Sequence, residues 1–478
     1  MFCTLLTLCI GANLQAQFHS WAVPLSTSRA GASIITAKAI DRAGNIYVAG
    51  TFRDSLYFTN DTLYFSSGVQ QTFFIAKYNA AGNHLWSQQF SKSANGIIKT
   101  LAINSRNQIL LFGQYAGSSI DFGSFSLTSG RGIFVAFMDT AGSFTAAREI
   151  ASASSFAGAF SMVLGPDDAI HAGIYLNGFG GSSSINDSLS TVAGTNFQVA
   201  LVKFSRNAQR LQWHHFYNFQ DFPEVGGLAV DKDKQVYFSL KGTSGKTLFG
   251  VSTGTAGTPA FLLWYRPNGN LHKTLNTMLT AHSAVFTGVQ AVDSNTLYVS
   301  GTTNRDSLIF CGTSMRVQGR NRGPNRRFHF IFQLRFFDTI GWFATSNHHE
   351  GTFFSSTLAV TGNFIYGSFD HNNDTLVMGG FFKRAPTLIR CLLYKFDRLG
   401  NMLWFIDNPS PVSAIIHTIQ SNDLVYTGLF GASVFLDPFT LRGRSTANAF
   451  LARITDYNIV RGKVKAGPYC AGDSLKVP

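Results

Sequence analysis

Five arginines fall within twelve residues, at Arg316, Arg320, Arg322, Arg326 and Arg327. A guanidinium is planar and always charged, and its forked donors match the oxygens of phosphate or carboxylate in pairs. Such a cluster suits a polyanion, and equally suits a solvated loop with no partner. Asn347-His348-His349-Glu350 follows shortly after. Adjacent histidines point to opposite faces of a strand, so they converge only in a loop. A metal site needs three or four converging donors, and the plausible acidic partners, Asp221 and Glu224, lie far back in the chain. His348 and His349 therefore join the arginines as candidate ligand-binding residues, with no metal and no cofactor expected.

The rest of the chain carries no spacing of known catalytic chemistry. No Gly-x-Ser-x-Gly, His-Glu-x-x-His or P-loop occurs. Asp231-Lys232-Asp233 lacks the further ligands of a calcium loop. Stretches of Asn-Asp-Ser/Thr-Leu begin at Asn60, Asn186 and Asn373. They match the N-glycosylation sequon, but their recurrence reads as a turn encoded in a repeat. With 25 acidic residues in 478, a converging carboxylate pair for general acid–base work is not visible. No catalytic residue is assigned.

What must position these residues is an all-β scaffold. Phe numbers 45 and Gly 46, while charged residues make up only 13%, about half the usual share. Aromatics suit strands, and glycine suits turns. The hydrophobic fraction of 45% excludes a disordered chain. Lys+Arg is 38 against Asp+Glu 25, a formal net charge of +13 that favours acidic partners.

The ends read differently from the middle. Phe2 to Ala12 is mostly apolar and too short to span a bilayer. It fits the core of a secretory signal peptide cleaved after Ala16. No Lys or Arg precedes Arg29, so the true start is expected upstream of Met1. No later segment is long and apolar enough to cross a membrane. Once Cys3 and Cys9 leave with the signal, Cys311, Cys391 and Cys470 remain, and no pairing follows from their spacing.

Between the ends, one pattern repeats about every 60 residues. Its first marker runs from Ala39-Ile40-Asp41 to Gly50, and returns ending at Gly113, Gly173, Gly301, Gly367 and Gly428. The copy from Leu228 to Leu240 lacks the terminal glycine. A second marker runs from Phe74 through Asn79-Ala80-Ala81-Gly82 to Trp86, with counterparts at Trp213, Trp342 and Trp404. Each marker is strand, tight turn, strand. Asx side chains bond their own backbone in such turns, and glycine takes the positive φ. Seven units of strands a, b, c and d make a seven-bladed β-propeller of four-stranded blades. The seventh unit lacks a d strand. Phe18 to Leu25, with Trp21 in the repeated Trp position, supplies it and closes the ring. Trp21, Trp86, Trp213, Trp342 and Trp404 are thus expected to be structural, packing between blades.

The stretches Gly44 to Phe52 and Phe74 to Trp86 resemble the bacterial SBBP-type β-propeller repeats. The resemblance covers about residues 17–459. It implies a secreted or outer-surface protein, often of bacteria using type IX secretion, and implies little about ligands. Tyr469 to Pro478 resembles the opening of an Ig-like or PKD-like β-sandwich, so 460–478 is expected to be a linker into a second module. The b–c segments, including Thr303 to Arg327, read as long loops on one face, where binding residues collect. The expected function is a non-enzymatic binding or scaffold module. Its partners would be acidic glycans or another surface protein, rather than nucleic acid. The alternative is a glycan hydrolase or lyase acting at the b–c face.

Overall fold

The structure, a computed structural model, describes residues 17–456 except 29–30, 65–70, 92–93, 155, 178–182, 187–188, 192–196, 220–224, 243–246, 250, 253–257, 278–283, 305–306, 317–325, 347–348, 351–356, 372–374, 379–380, 385–389, 409–415 and 419–422. The expected signal peptide and C-terminal module lie outside these residues. All regular structure within them is β. No helix among the described residues is long and apolar enough to cross a membrane.

Seven antiparallel sheets of four strands each form a propeller ring. In blade 1 strands a to d are Ser33–Ile40, Ile46–Phe52, Thr72–Tyr78 and His84–Phe90. Blades 2 to 6 span 94–153, 156–219, 225–276, 284–345 and 357–408. Blade 7 takes strands a to c from Ile416–Thr418, Leu424–Phe430 and Asn448–Asp456, and its d strand from Gln17–Thr27. Gln17 pairs with Asp456, and Leu25 with Ala449. The first of the described strands therefore closes the ring.

The turns follow from their Asx residues. Asp41 accepts the amides of Ala43 and Asn45 in the a–b turn of blade 1. Asn79, Asp139 and Asp397 do the same for their c–d turns. Strands b and c run through the middle of each sheet and are buried, with Tyr47, Tyr237, Tyr298, Tyr366 and Tyr426 fully enclosed on strand b. The described residues form seven hydrophobic cores, one at each junction between neighbouring blades. The junction of blades 7 and 1 joins Leu25, Val425 and Leu451 to Ile46, Val48 and Phe74.

The repeated glycine on strand b has a steric cause. In blades 1, 2, 3 and 5 strand a carries a bulge at Thr36, Lys99, Phe160 and Thr287, opposite that glycine. In blades 1, 2 and 5 the bulge swings a carbonyl inward. A Cβ on Gly50, Gly113 or Gly301 would overlap the oxygen of Ile34, Ile97 or Val285. Blade 4 has Ser239 in that place, and the smallness has moved across the ladder. Gly226 and Gly227 form a two-residue bulge against it. The Ser239 hydroxyl accepts the amide of Gly227 at 2.7 Å and donates to Phe286 O at 3.1 Å.

The b–c segments are not the long loops expected from their length and polarity. Each contains a short β-hairpin, such as Ser55–Tyr57 with Thr62–Tyr64 in blade 1 and Ser433–Leu436 with Phe439–Arg442 in blade 7. The inward residues of the first hairpin strand are apolar: Leu56, Ile120, Phe122, Ile185, Leu308, Phe310, Val434 and Leu436. Four hairpins bond to strand d of the preceding blade or to its end. Thr27 pairs with Leu56, Ala151 with Ile185, Thr277 with Phe310 and Ser346 with Met378. Strand d is an outer edge with unpaired backbone groups, and the hairpin covers one end of it. The sequon at Asn60 falls in a hairpin turn and Asn186 follows the first hairpin strand, whereas Asn373 lies outside the described residues.

Candidate functional site

The face bearing the seven hairpins also carries the d–a connections. At blade 5 it holds the described members of the sequence-predicted set, Arg316, Arg326, Arg327 and His349. Arg316 ends the second hairpin strand, Thr313–Arg316, with its side chain exposed. Its carbonyl accepts the Thr345 hydroxyl. Arg326 and Arg327 open strand c, Arg326–Arg335. That strand begins before the blade proper, and its first two residues pair with His349–Glu350 of the d–a connection. Arg326 stands opposite Glu350, and Arg327 opposite His349. Arg320, Arg322 and His348 lie outside the described residues, as do Asp221 and Glu224. Thus two of the five arginines and one of the two histidines share a short ladder.

The same face presents one well-held carboxylate in blade 2. Glu149 on strand d accepts the Tyr115 hydroxyl at 2.6 Å and the Ser129 hydroxyl at 2.5 Å. Gly132 leaves room for this pair, since a Cβ there would lie 2.8 Å from the Tyr115 ring. Sequence reading missed this contact, which joins residues of two strands and a connection. Among the described residues no group of three or more His, Cys, Asp and Glu side chains is placed to hold a metal ion. Asp231 is occupied by its own turn, accepting the amides of Asp233 and Gln235 and the Tyr237 hydroxyl. Cys311 and Cys391 form no disulfide among the described residues, and burial pushes the Cys311 thiol up to about 11.

The tryptophans sit at blade junctions. The indoles of Trp21, Trp213 and Trp342 lie over Gly82, Gly269 and Gly400, the positive-φ glycines of the next blade's c–d turn. Their Nε1 groups donate to Ala80 O, Pro267 O and Arg398 O at 3.1, 3.2 and 3.0 Å. Trp86 lies 3.5 Å from the Cβ position of Gly142, and Trp404 is buried in the core between blades 6 and 7. Polar strand-c side chains reach the same turns: Lys77 donates to Thr140 O, Lys203 to Pro267 O and Arg453 to Ala80 O.

No family model and no curated protein matches the chain. Solved structures resemble it distantly. Quinohemoprotein alcohol dehydrogenase from Comamonas testosteroni is similar at TM-score 0.45 and 10% identity, over 97% of this chain and 79% of that one. The Dos1 propeller is similar at TM-score 0.39 and 10% identity, over 92% and 95%. A protein of unknown function from Dyadobacter fermentans DSM 18053 gives 0.40 and 10%, over 76% and 94%. The likeness is too distant to carry a substrate or cofactor from one chain to another. By its own sheet order, this protein is a seven-bladed β-propeller.

Proposed function

We propose that this chain is an exported, non-enzymatic β-propeller of the SBBP-repeat kind, serving a secreted or cell-surface protein as a binding module. The observation that supports this most is the basic ladder at blade 5. Arg326 and Arg327 are held in register with His349 and Glu350, beside the exposed Arg316, on the face where all seven hairpins stand. A rigid ring presenting variable connections is the arrangement in which loops take up binding. The ligand class that fits is an acidic glycan or another polyanion, through paired guanidinium contacts.

The test is retention on immobilised heparin at two salt concentrations. Surface electrostatics are screened beyond about 10 Å at 0.1 M, so retention of the parent chain should fall steeply with salt. Replacing Arg320, Arg322, Arg326 and Arg327 with Ser should remove most of it while the melting temperature holds. Equal retention of variant and parent would return the cluster to a solvated loop. Export is tested separately, by finding Gln17 at the N-terminus of protein recovered outside the cell.

A further inference from the structure

A second surface lies two blades away, where the ring closes. The hairpins of blades 7 and 1 flank the N-terminal strand Gln17–Thr27, which pairs with the blade 1 hairpin and packs against Phe439–Arg442 of blade 7. In the blade 1 hairpin Leu56 and Leu63 point inward, so Tyr57, Thr62 and Tyr64 share the outer face. In the blade 7 hairpin Val434 and Leu441 point inward, so Phe435, Thr440 and Arg442 face out. Tyr64 is 67% exposed and Phe435 58%. Register makes Tyr57 and Tyr64 diagonal neighbours, and likewise Phe435 and Arg442, each pair separated by about 7–8 Å. Arg444 bridges the hairpins, its guanidinium carbon 4.4 Å from the centre of the Tyr57 ring.

Two rings left to water, with two arginines between them, have a chemistry of their own. An aromatic face accepts an apolar ring face, and a guanidinium takes a carboxylate or sulfate through paired donors. Thr62, Ser433 and Thr440 set hydroxyls around the rings. Single aromatic faces ringed by hydroxyls suit sugar rings; a stack of bases calls for successive aromatics along a groove. Of the neighbouring acids, Asp54 and Asp61 accept the hydroxyls of Ser28 and Ser87, while Asp437 stands exposed at the hairpin tip.

We infer that this surface binds an acidic polysaccharide, with Tyr64 and Phe435 stacking on sugar rings and Arg442 and Arg444 pairing with their carboxylates or sulfates. The inference rests on the reading of the chain as a binding module, but at a site apart from the blade 5 arginines. The test uses the full chain with polygalacturonate, neutral dextran and a single-stranded oligothymidylate as probes, followed by titration calorimetry. Three variants are compared: Tyr64→Ser with Phe435→Ser, Arg442→Gln with Arg444→Gln, and the blade 5 Arg-to-Ser set. All the residues changed in the first two are surface groups, so unfolding midpoints should hold.

Polygalacturonate should bind more tightly than dextran. Both hairpin variants should weaken it by about tenfold or more, the scale of lost charge-assisted contacts. The aromatic pair carries the distinction, because a diffuse electrostatic attraction would not feel its loss. Unchanged affinity in the aromatic variant overturns the inference. So does hairpin-dependent binding of the oligothymidylate that equals that of polygalacturonate. Loss in the blade 5 set alone overturns it while leaving the binding-module reading intact. Absence of binding to every probe overturns it as well, and the binding-module reading then stands or falls on the heparin retention.

Discussion

Replacing Gly301 with Ser tests the steric account of the repeat. Serine is the native residue at the equivalent position of blade 4, so a view based on residue preference alone expects little effect. At Gly301, however, a Cβ would overlap Val285 O and lie 2.6 Å from the Phe330 ring. The first obstacle is backbone, held by the bulge at Thr287, and cannot swing aside. Overpacking of this kind costs about 1–3 kcal/mol, and the upper end applies where the neighbour is main chain. Unfolding entropy near 2.1 cal/mol/K per residue, over roughly 440 residues in one cooperative ring, gives about 0.9 kcal/mol/K. A loss of about 3 kcal/mol is then about 3 °C in melting temperature. Gly123→Ala is the control, at a hairpin tip with nothing within 4 Å of the Cβ position and φ +62. It carries only the left-handed backbone penalty, about 1–2 kcal/mol. Melting followed by circular dichroism distinguishes them. A Gly301→Ser chain melting within a degree of the parent would refute the carbonyl argument.

Deleting residues 17–26 should lower the melting temperature by about 5 °C or more, because it strips Leu25 from the closing core and bares the edge of strand c; an unchanged value would sink the closure. Trp342→Ala should cost about 2–3 kcal/mol, less than a fully buried ring, through lost contact with Gly400 and the lost bond to Arg398 O; urea midpoints measure it. Burial, with Lys203 nearby, holds the fully enclosed His171 down at about 3, so it is neutral in the folded ring. Its unfolded form takes a proton below about 6.5, so this contribution is complete above that pH and is lost progressively as pH falls towards 3. His171→Leu should flatten that part of the stability profile, and an unchanged slope would count against it.

Much of the ring was legible because its turns use residues with a local mechanism. Asp41, Asn79, Asp139 and Asp397 cap their own turns, so they recur whatever the surroundings. The hairpins were harder to see. Their strands are two to four residues long, too short for alternation to stand out from a polar loop. Ser239 was opaque for another reason: its compensation, Gly226 and Gly227, lies on a different strand of the ladder. At the candidate site, the arginines were visible as a run of like charges. Their pairing with His349 and Glu350 joins two connections that a linear reading treats apart. Tyr64 and Phe435 look like any strand aromatic until the register shows that Leu63 and Val434 took the inner face.

The strand that closes the ring is also the first of the described strands to be synthesised. Gln17 to Leu25 must wait for Ala449 to Asp456 before its backbone groups find their partners. At 5–20 residues per second, the ribosome needs roughly 20–90 s to make the intervening 430 or so residues. Over that interval blade 1 has no neighbour on one side, and the core shared by blades 7 and 1 does not exist. Contacts so distant in sequence form late, after the entropy of a very large loop has been surrendered. The finished ring is therefore a property of a chain synthesised at least as far as Asp456 and not of any shorter one. Under the proposed export, a ring that cannot close before Asp456 is made loses nothing by crossing a membrane unfolded.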